Sequence, residues 1–193
     1  MSGRLVIGVT GASGPQYAIG LLRALRAVPE VETHVIVSAG ADRTLELEAG
    51  LTPGALAELA DVAYDERDLA AGPSSGSFKT LGMVVVPCSM KTLAAVAGGY
   101  TDGLIARAAD VTLKERRRLV LVTRETPLSL VHLRNMCTVT EAGATVLPPV
   151  PGFYARPQSI DDVIAQTCGK VLDQFGLDLD LFPRWSGPDP GSS

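Results

Sequence analysis

The stretch Leu5-Val6-Ile7-Gly8-Val9-Thr10-Gly11-Ala12-Ser13-Gly14 decides how this chain is read. Its first five residues are apolar or glycine, with no polar alternation, which suits a strand buried on both faces. The small residues that follow form a Gly-rich turn of the kind that passes a strand into a helix. Residues 16–27 supply that helix: Tyr17, Ile19, Leu21, Leu22 and Leu25 are its apolar side, and Pro29 stands just beyond its end.

The same alternation continues outward. Residues 33–37 read as a second strand, 41–49 as a helix stopped by Gly50, and 53–60 as another short helix. Residues 65–77 are charged, then rich in Gly, Pro and Ser, and read as a loop. A third strand spans 83–86 and is interrupted by Pro87; a helix over 89–97 is closed by Gly98 and Gly99. Then follow a helix over 104–117, a strand over 119–122, a helix over 128–142 with Gly143 as its stop, and a short strand over 144–147. A Pro-rich loop over 148–157 leads to a final helix over 160–175. The expected fold is α/β: one Rossmann-like or flavodoxin-like domain over 1–185, a parallel sheet with helices on both faces. The polar, Gly- and Pro-rich stretch 186–193 reads as a disordered tail. Such sheets bind ligands outside the carboxyl ends of their strands, so the loops after Val9, Val37, Val86 and Val122 are the ones to inspect.

Composition narrows the function. The 193 residues carry 46% hydrophobic side chains and a net charge of −4, from 17 basic and 21 acidic groups. That is enough apolar material for one core, and it lacks the basic footprint of a nucleic-acid partner. Cys88, Cys137 and Cys168 are too few and too scattered for a disulfide framework or a zinc site, and read as buried, reduced thiols. His34 and His132 lack companion ligands, so no metal is expected. The N-terminal apolar run is too short for a signal peptide, and no stretch of about 20 apolar residues is present to cross a membrane. The expected compartment is the cytosol.

Three turns carry the chemistry. Thr10-Gly11-Ala12-Ser13-Gly14 lets backbone N–H groups approach a ligand and offers an anion the positive end of the next helix. It is neither a G-x-G-x-x-G fingerprint nor a P-loop, and the alternative reading is a turn that only closes a strand–helix junction. Pro87-Cys88-Ser89-Met90-Lys91-Thr92 follows a buried strand; Ser89 and Thr92 can cap the next helix and bond a ligand, with Lys91 near an anion or left exposed. No histidine is placed to activate Cys88, which favours a structural thiol. In Thr123-Arg124-Glu125-Thr126-Pro127, Arg124 offers a planar fork for phosphate, and Glu125 can relay a proton, position Arg124, or form a surface pair with it.

Taken together, GVTGASG (8–14), SSGSF (74–78), PCSMKTLAAVAGG (87–99), RAADVTLKERR (107–117), RETPL (124–128) and PGFYARPQS (151–159) resemble the UbiX-type flavin prenyltransferases, in that family's order. The resemblance implies an enzyme that joins the dimethylallyl group of dimethylallyl phosphate to N5 and C6 of reduced FMN, without a metal. Its prenylated product serves UbiD-type decarboxylases, and the family assembles as homo-oligomers, commonly dodecamers. By position it assigns Gly11, Ala12, Ser13, Ser38, Ser89, Met90, Lys91, Thr92 and Arg124 to FMN, with Arg107 near the flavin. Lys114, Tyr154 and Lys170 would hold the prenyl phosphate, shared by Arg124. Glu48 and Glu125 are the candidate acids, Ser13 is counted with the catalytic groups, and Trp185 would face the allylic cation.

Two positions depart from the family pattern: Lys170 stands where other members carry arginine, and Leu69 where some carry tryptophan. Two rival readings are a non-catalytic FMN-carrying subunit of an aromatic-acid decarboxylase and a flavin-dependent cysteine decarboxylase. The second has a Pro-Ala-Ser-Ala-Asn-Thr block and an active-site histidine, where this chain has Pro87 to Thr92 and a His34 placed within a strand.

Overall fold

The computed structural model describes residues 3–187. The segment 188–193, most of the expected tail, lies outside the described residues. Among those described, the strands are β1 (Gly3–Val9), β2 (Val31–Val37), β3 (Val62–Asp65), β4 (Gly82–Cys88), β5 (Arg118–Thr123) and β6 (Thr145–Val146). They form one six-stranded sheet in the order β3-β2-β1-β4-β5-β6. Every pairing is parallel. The helices are α1 (Pro15–Leu25), α2 (Ala39–Ala49), α3 (Met90–Gly98), α4 (Leu104–Lys114), α5 (Leu130–Glu141) and α6 (Ile160–Asp173).

Burial follows from the run that opened the argument. Leu5, Ile7 and Val9 point into one core with Leu21 and Leu22 of α1, Leu45 of α2 and Val171 of α6. Val6 faces the other core, with Leu93 of α3, Ile105 of α4 and Val139 of α5. Successive side chains of a strand alternate between faces, so an all-apolar strand needs helices on both. The chain order reverses between β1 and β4, and there the turns after both strands open a crevice at the carboxyl edge.

Several expectations are corrected. The short helix over 53–60 reduces to one 3-10 turn at Ala57–Leu59, because Gly54 turns the chain at φ +89°. The edge strand β3 had no strand assigned to it; only alternate residues are partly covered, too few to leave an apolar signal. Pro87 does not end β4, which runs on to Cys88 with a register shift after Val85. Helix α4 stops at Lys114, short of 117, where Arg116 adopts φ 57°. That turn directs the Arg117 guanidinium to the carbonyls of Gly76, at 2.6 Å, and Phe78, at 2.7 Å. Cys88 and Cys168 are buried, but Cys137 is exposed on α5, contrary to the expectation for all three.

Candidate active site

Four strand ends stand side by side. Ser38 N donates to Val9 O at 3.0 Å, Thr10 N to Pro87 O at 3.3 Å, and Arg124 N to Cys88 O at 3.2 Å. This stitching sets the turns after β2, β1, β4 and β5 in one row. Gly11 lies against Gly40, and a Cβ added to Gly11 would meet the Gly40 carbonyl carbon at 2.8 Å. Only glycine lets these two backbones approach so closely.

Three helix starts face this row. Ser38 caps α2, its Oγ accepting from Ala41 N at 3.1 Å. Ser89 caps α3, accepting from Thr92 N at 3.3 Å, with the two hydroxyls 3.2 Å apart. The first turn of α1 begins at Gly14, whose N–H donates to Glu48 Oε2 at 2.9 Å; the Ser13 hydroxyl donates to the same oxygen at 3.0 Å. The free N–H groups and dipoles of such turns favour an anion.

Arg124 lies partly buried beside them. Its Nε is buried without a hydrogen-bond partner, and so is Thr123 Oγ1. A buried donor left unmade costs roughly 1–3 kcal/mol, more for a charged group, so these atoms fit a ligand's acceptors. Arg124 makes no ion pair among the described residues. The Arg124–Glu125 pair considered from sequence is therefore not formed: Glu125 is exposed and accepts from Thr126 N at 3.1 Å.

A second group forms around α6. Tyr154 and Lys170 line one cavity of about 280 Å³ with Leu147, Pro148, Gly152 and Gln166. The rings of Tyr154 and Trp185 meet edge to face at 6.2 Å. Sequence reasoning missed Gln166, which is 7% exposed. Its amide accepts from Gly152 N at 2.7 Å and donates to Gly152 O at 3.2 Å, fixing the loop that carries Tyr154. Nothing in the local pattern of α6 marks that glutamine; its partner lies 14 residues earlier.

Three further assigned residues have contacts of their own. Arg107 is held by the Ser74 carbonyl at 3.1 Å and Asp110 at 2.8 Å. Lys91 lines a cavity with Glu66, Tyr100 and Asp102; burial raises the Glu66 carboxyl above its ordinary range, against the opposing pull of Lys91. Lys114 pairs with Glu115. It stands at the sheet's amino edge: α4 starts beside Glu66, which follows β3, and ends four residues before Arg118 opens β5. One chain therefore does not bring Lys114 to the carboxyl-edge row. Burial pushes the Cys88 thiol up to about 12, which suits a structural thiol. Among the described residues no three His, Cys, Asp or Glu side chains gather as a metal site. No helix among them is long and apolar enough to cross a membrane.

The flavoprotein family model matches residues 2–172. The chain is 57% identical over 186 residues to the flavin prenyltransferase UbiX of Escherichia coli K12, covering 95% of this chain and 98% of that protein. The chain belongs to the UbiX-type flavin prenyltransferases. Its fold superposes on the crystal structure of AnUbiX (PadA1) in complex with FMN and dimethylallyl pyrophosphate with a TM-score of 0.95. That pair shares 52% identity, over 98% of this chain and 100% of that one. A dodecameric FMN-dependent UbiX-like decarboxylase from Escherichia coli O157:H7 matches with a TM-score of 0.93 and 50% identity, over 95% of this chain and 100% of that one.

Proposed function

We propose that this protein joins the dimethylallyl group of dimethylallyl phosphate to N5 and C6 of reduced FMN. The observation that carries the reading is the row of turns around Arg124, whose buried Nε lacks a partner beside the capped start of α3. Reduced FMN supplies the electron-rich nucleophile, so the protein needs no covalent nucleophile of its own. In this reading Ser89, Met90, Lys91, Thr92 and Arg124 bind its phosphate end, and Gly11, Ala12, Ser13 and Ser38 line the rest of the row. Tyr154 and Lys170 hold the leaving phosphate, and Trp185 beside Tyr154 turns an aromatic face to the allylic group. As the prenyl C–O bond breaks, the electron pair leaves with the phosphate, and cationic donors stabilise that charge. Closure against water keeps the allylic cation from being trapped as an alcohol. The Ser13–Glu48 pair offers a carboxylate to accept and return a proton.

Further parts of the reading concern assembly and use. In a homo-oligomer Tyr154 and Lys170 reach the row of a neighbouring copy, and Lys114, with Arg107 and Glu125, also serves the site across copies; the dodecameric relative supports such an assembly. The product serves a UbiD-type decarboxylase in the cytosol, and residues 1–185 act as one domain. The experiment is anaerobic incubation of the purified chain with reduced FMN and dimethylallyl phosphate, followed by mass spectrometry of the flavin. A mass gain of one prenyl unit is expected. Unmodified FMN recovered from a protein that binds it would instead support the accessory-subunit reading.

A further inference from the structure

Thr10 has no part in the assignments above, yet its side chain joins two of their turns. The residue is 4% exposed. It stands just past the regular pairing of β1 with β4, where one longer backbone bond, Thr10 N to Pro87 O at 3.3 Å, remains. The β1–β4 register runs from Leu5 opposite Gly82 to Gly8 opposite Val85. Beyond it comes Pro87, which has no N–H to give a neighbouring strand. The Thr10 hydroxyl adds a shorter link to that carbonyl and a new one to the next turn. Its Oγ1 donates to Pro87 O at 2.7 Å and accepts from Ser89 N at 2.9 Å. One hydroxyl has a proton and two lone pairs, so both bonds coexist.

Ser89 is the cap of α3, and the N–H groups of that helix's first turn are the ones an anion meets. Thr10 is also the residue immediately before Gly11, Ala12 and Ser13. A single buried side chain thus sets the start of α3 against the turn after β1. Valine has the same shape and would fill the same space, but it would leave Ser89 N unpaired and Pro87 O with only the longer bond from the residue 10 N–H.

We propose that Thr10 is a positioning residue for the FMN phosphate: its hydroxyl fixes the start of α3 in the place and orientation that phosphate recognition requires. The proposal rests on the FMN reading above. Riboflavin, which has the isoalloxazine and ribityl chain but no phosphate, separates the two ideas. Dissociation constants for FMN and riboflavin are measured by flavin fluorescence on the unmodified chain and on Thr10→Val, Thr10→Ser and Thr10→Cys. The unmodified chain should prefer FMN. Thr10→Val should shrink that preference about tenfold, the scale expected when hydrogen bonds are lost. Thr10→Ser, which keeps the hydroxyl, should retain the preference. Thr10→Cys, a milder change should the valine variant not fold, should fall between them. The proposal is overturned if the valine and cysteine variants keep the full preference, or if they weaken both flavins by one factor, as a general loss of structure does. An unmodified chain that binds both flavins equally would overturn the phosphate site itself, and the proposal with it.

Discussion

The Ser13 hydroxyl donates to Glu48 Oε2 at 3.0 Å, across a separation of 35 residues. The same oxygen accepts from Gly14 N, so the carboxylate holds the turn after β1 and also carries the acceptor nearest to it. Glu48→Gln keeps a carbonyl oxygen for both donors but removes the group able to take a proton. Turnover should fall by about 10²-fold with FMN affinity unchanged, the size typical of a lost general acid–base group. Single-turnover formation of prenylated flavin measures it; an unaltered rate would assign Glu48 a structural part only.

Gln166 is expected to act through Tyr154. Its amide grips both polar backbone groups of Gly152, two residues before that tyrosine. Gln166→Leu should raise KM for the prenyl phosphate about tenfold, with little change in the FMN dissociation constant. A matching loss of FMN affinity would show that the substitution disturbs the whole carboxyl edge rather than one loop.

If the site is shared between copies, two inactive variants should complement each other. The first carries Tyr154→Ala with Lys170→Ala; the second carries Ser13→Ala with Arg124→Ala. Coexpression allows mixed oligomers, which light scattering and mass spectrometry can verify. Some prenylated flavin should then appear. Its absence from verified mixed oligomers would place all four residues in one chain's site.

Asp61 should contribute to acid sensitivity. Hydrogen bonds from Thr33 N at 2.7 Å and Thr33 Oγ1 at 2.8 Å hold its carboxyl below the ordinary value of 3.8. A depressed folded-state pKa gives stability that is present above the unfolded value and lost as pH falls through the folded one. The contribution should therefore be intact at neutral pH and disappear below about pH 4. Chemical denaturation across pH 2–7 should show a shallower acid decline for Asp61→Asn than for the unmodified chain. Identical slopes would remove Asp61 from the account.

Residues 5–25 specify the first strand, its turn and the helix that follows, because each depends on side chains within a few positions. An apolar run seeks burial on both faces, small residues permit the turn, and the spacing of Tyr17, Ile19, Leu22 and Leu25 forms a helical side. The same local logic reveals β4, β5 and most of the helices, and hence the parallel sheet. The capping serines Ser38 and Ser89 are legible for the same reason: a cap bonds to its own helix.

What only the tertiary structure decides involves partners distant in sequence. Strand β3 exists because Val62–Asp65 pairs with the backbone of His34–Val37, and its own short alternation does not announce this. Lys114 carries a charge suited to phosphate, but the direction of α4 sends it to the opposite edge of its own sheet. Thr10 and Pro87 are 77 positions apart, and Gln166 and Gly152 are 14 apart. A threonine ending an apolar strand, or a glutamine within a helix, carries no local sign of the backbone it will hold. Local periodicity and turn chemistry depend on residues a few positions apart; these hydrogen bonds have partners only in the assembled fold.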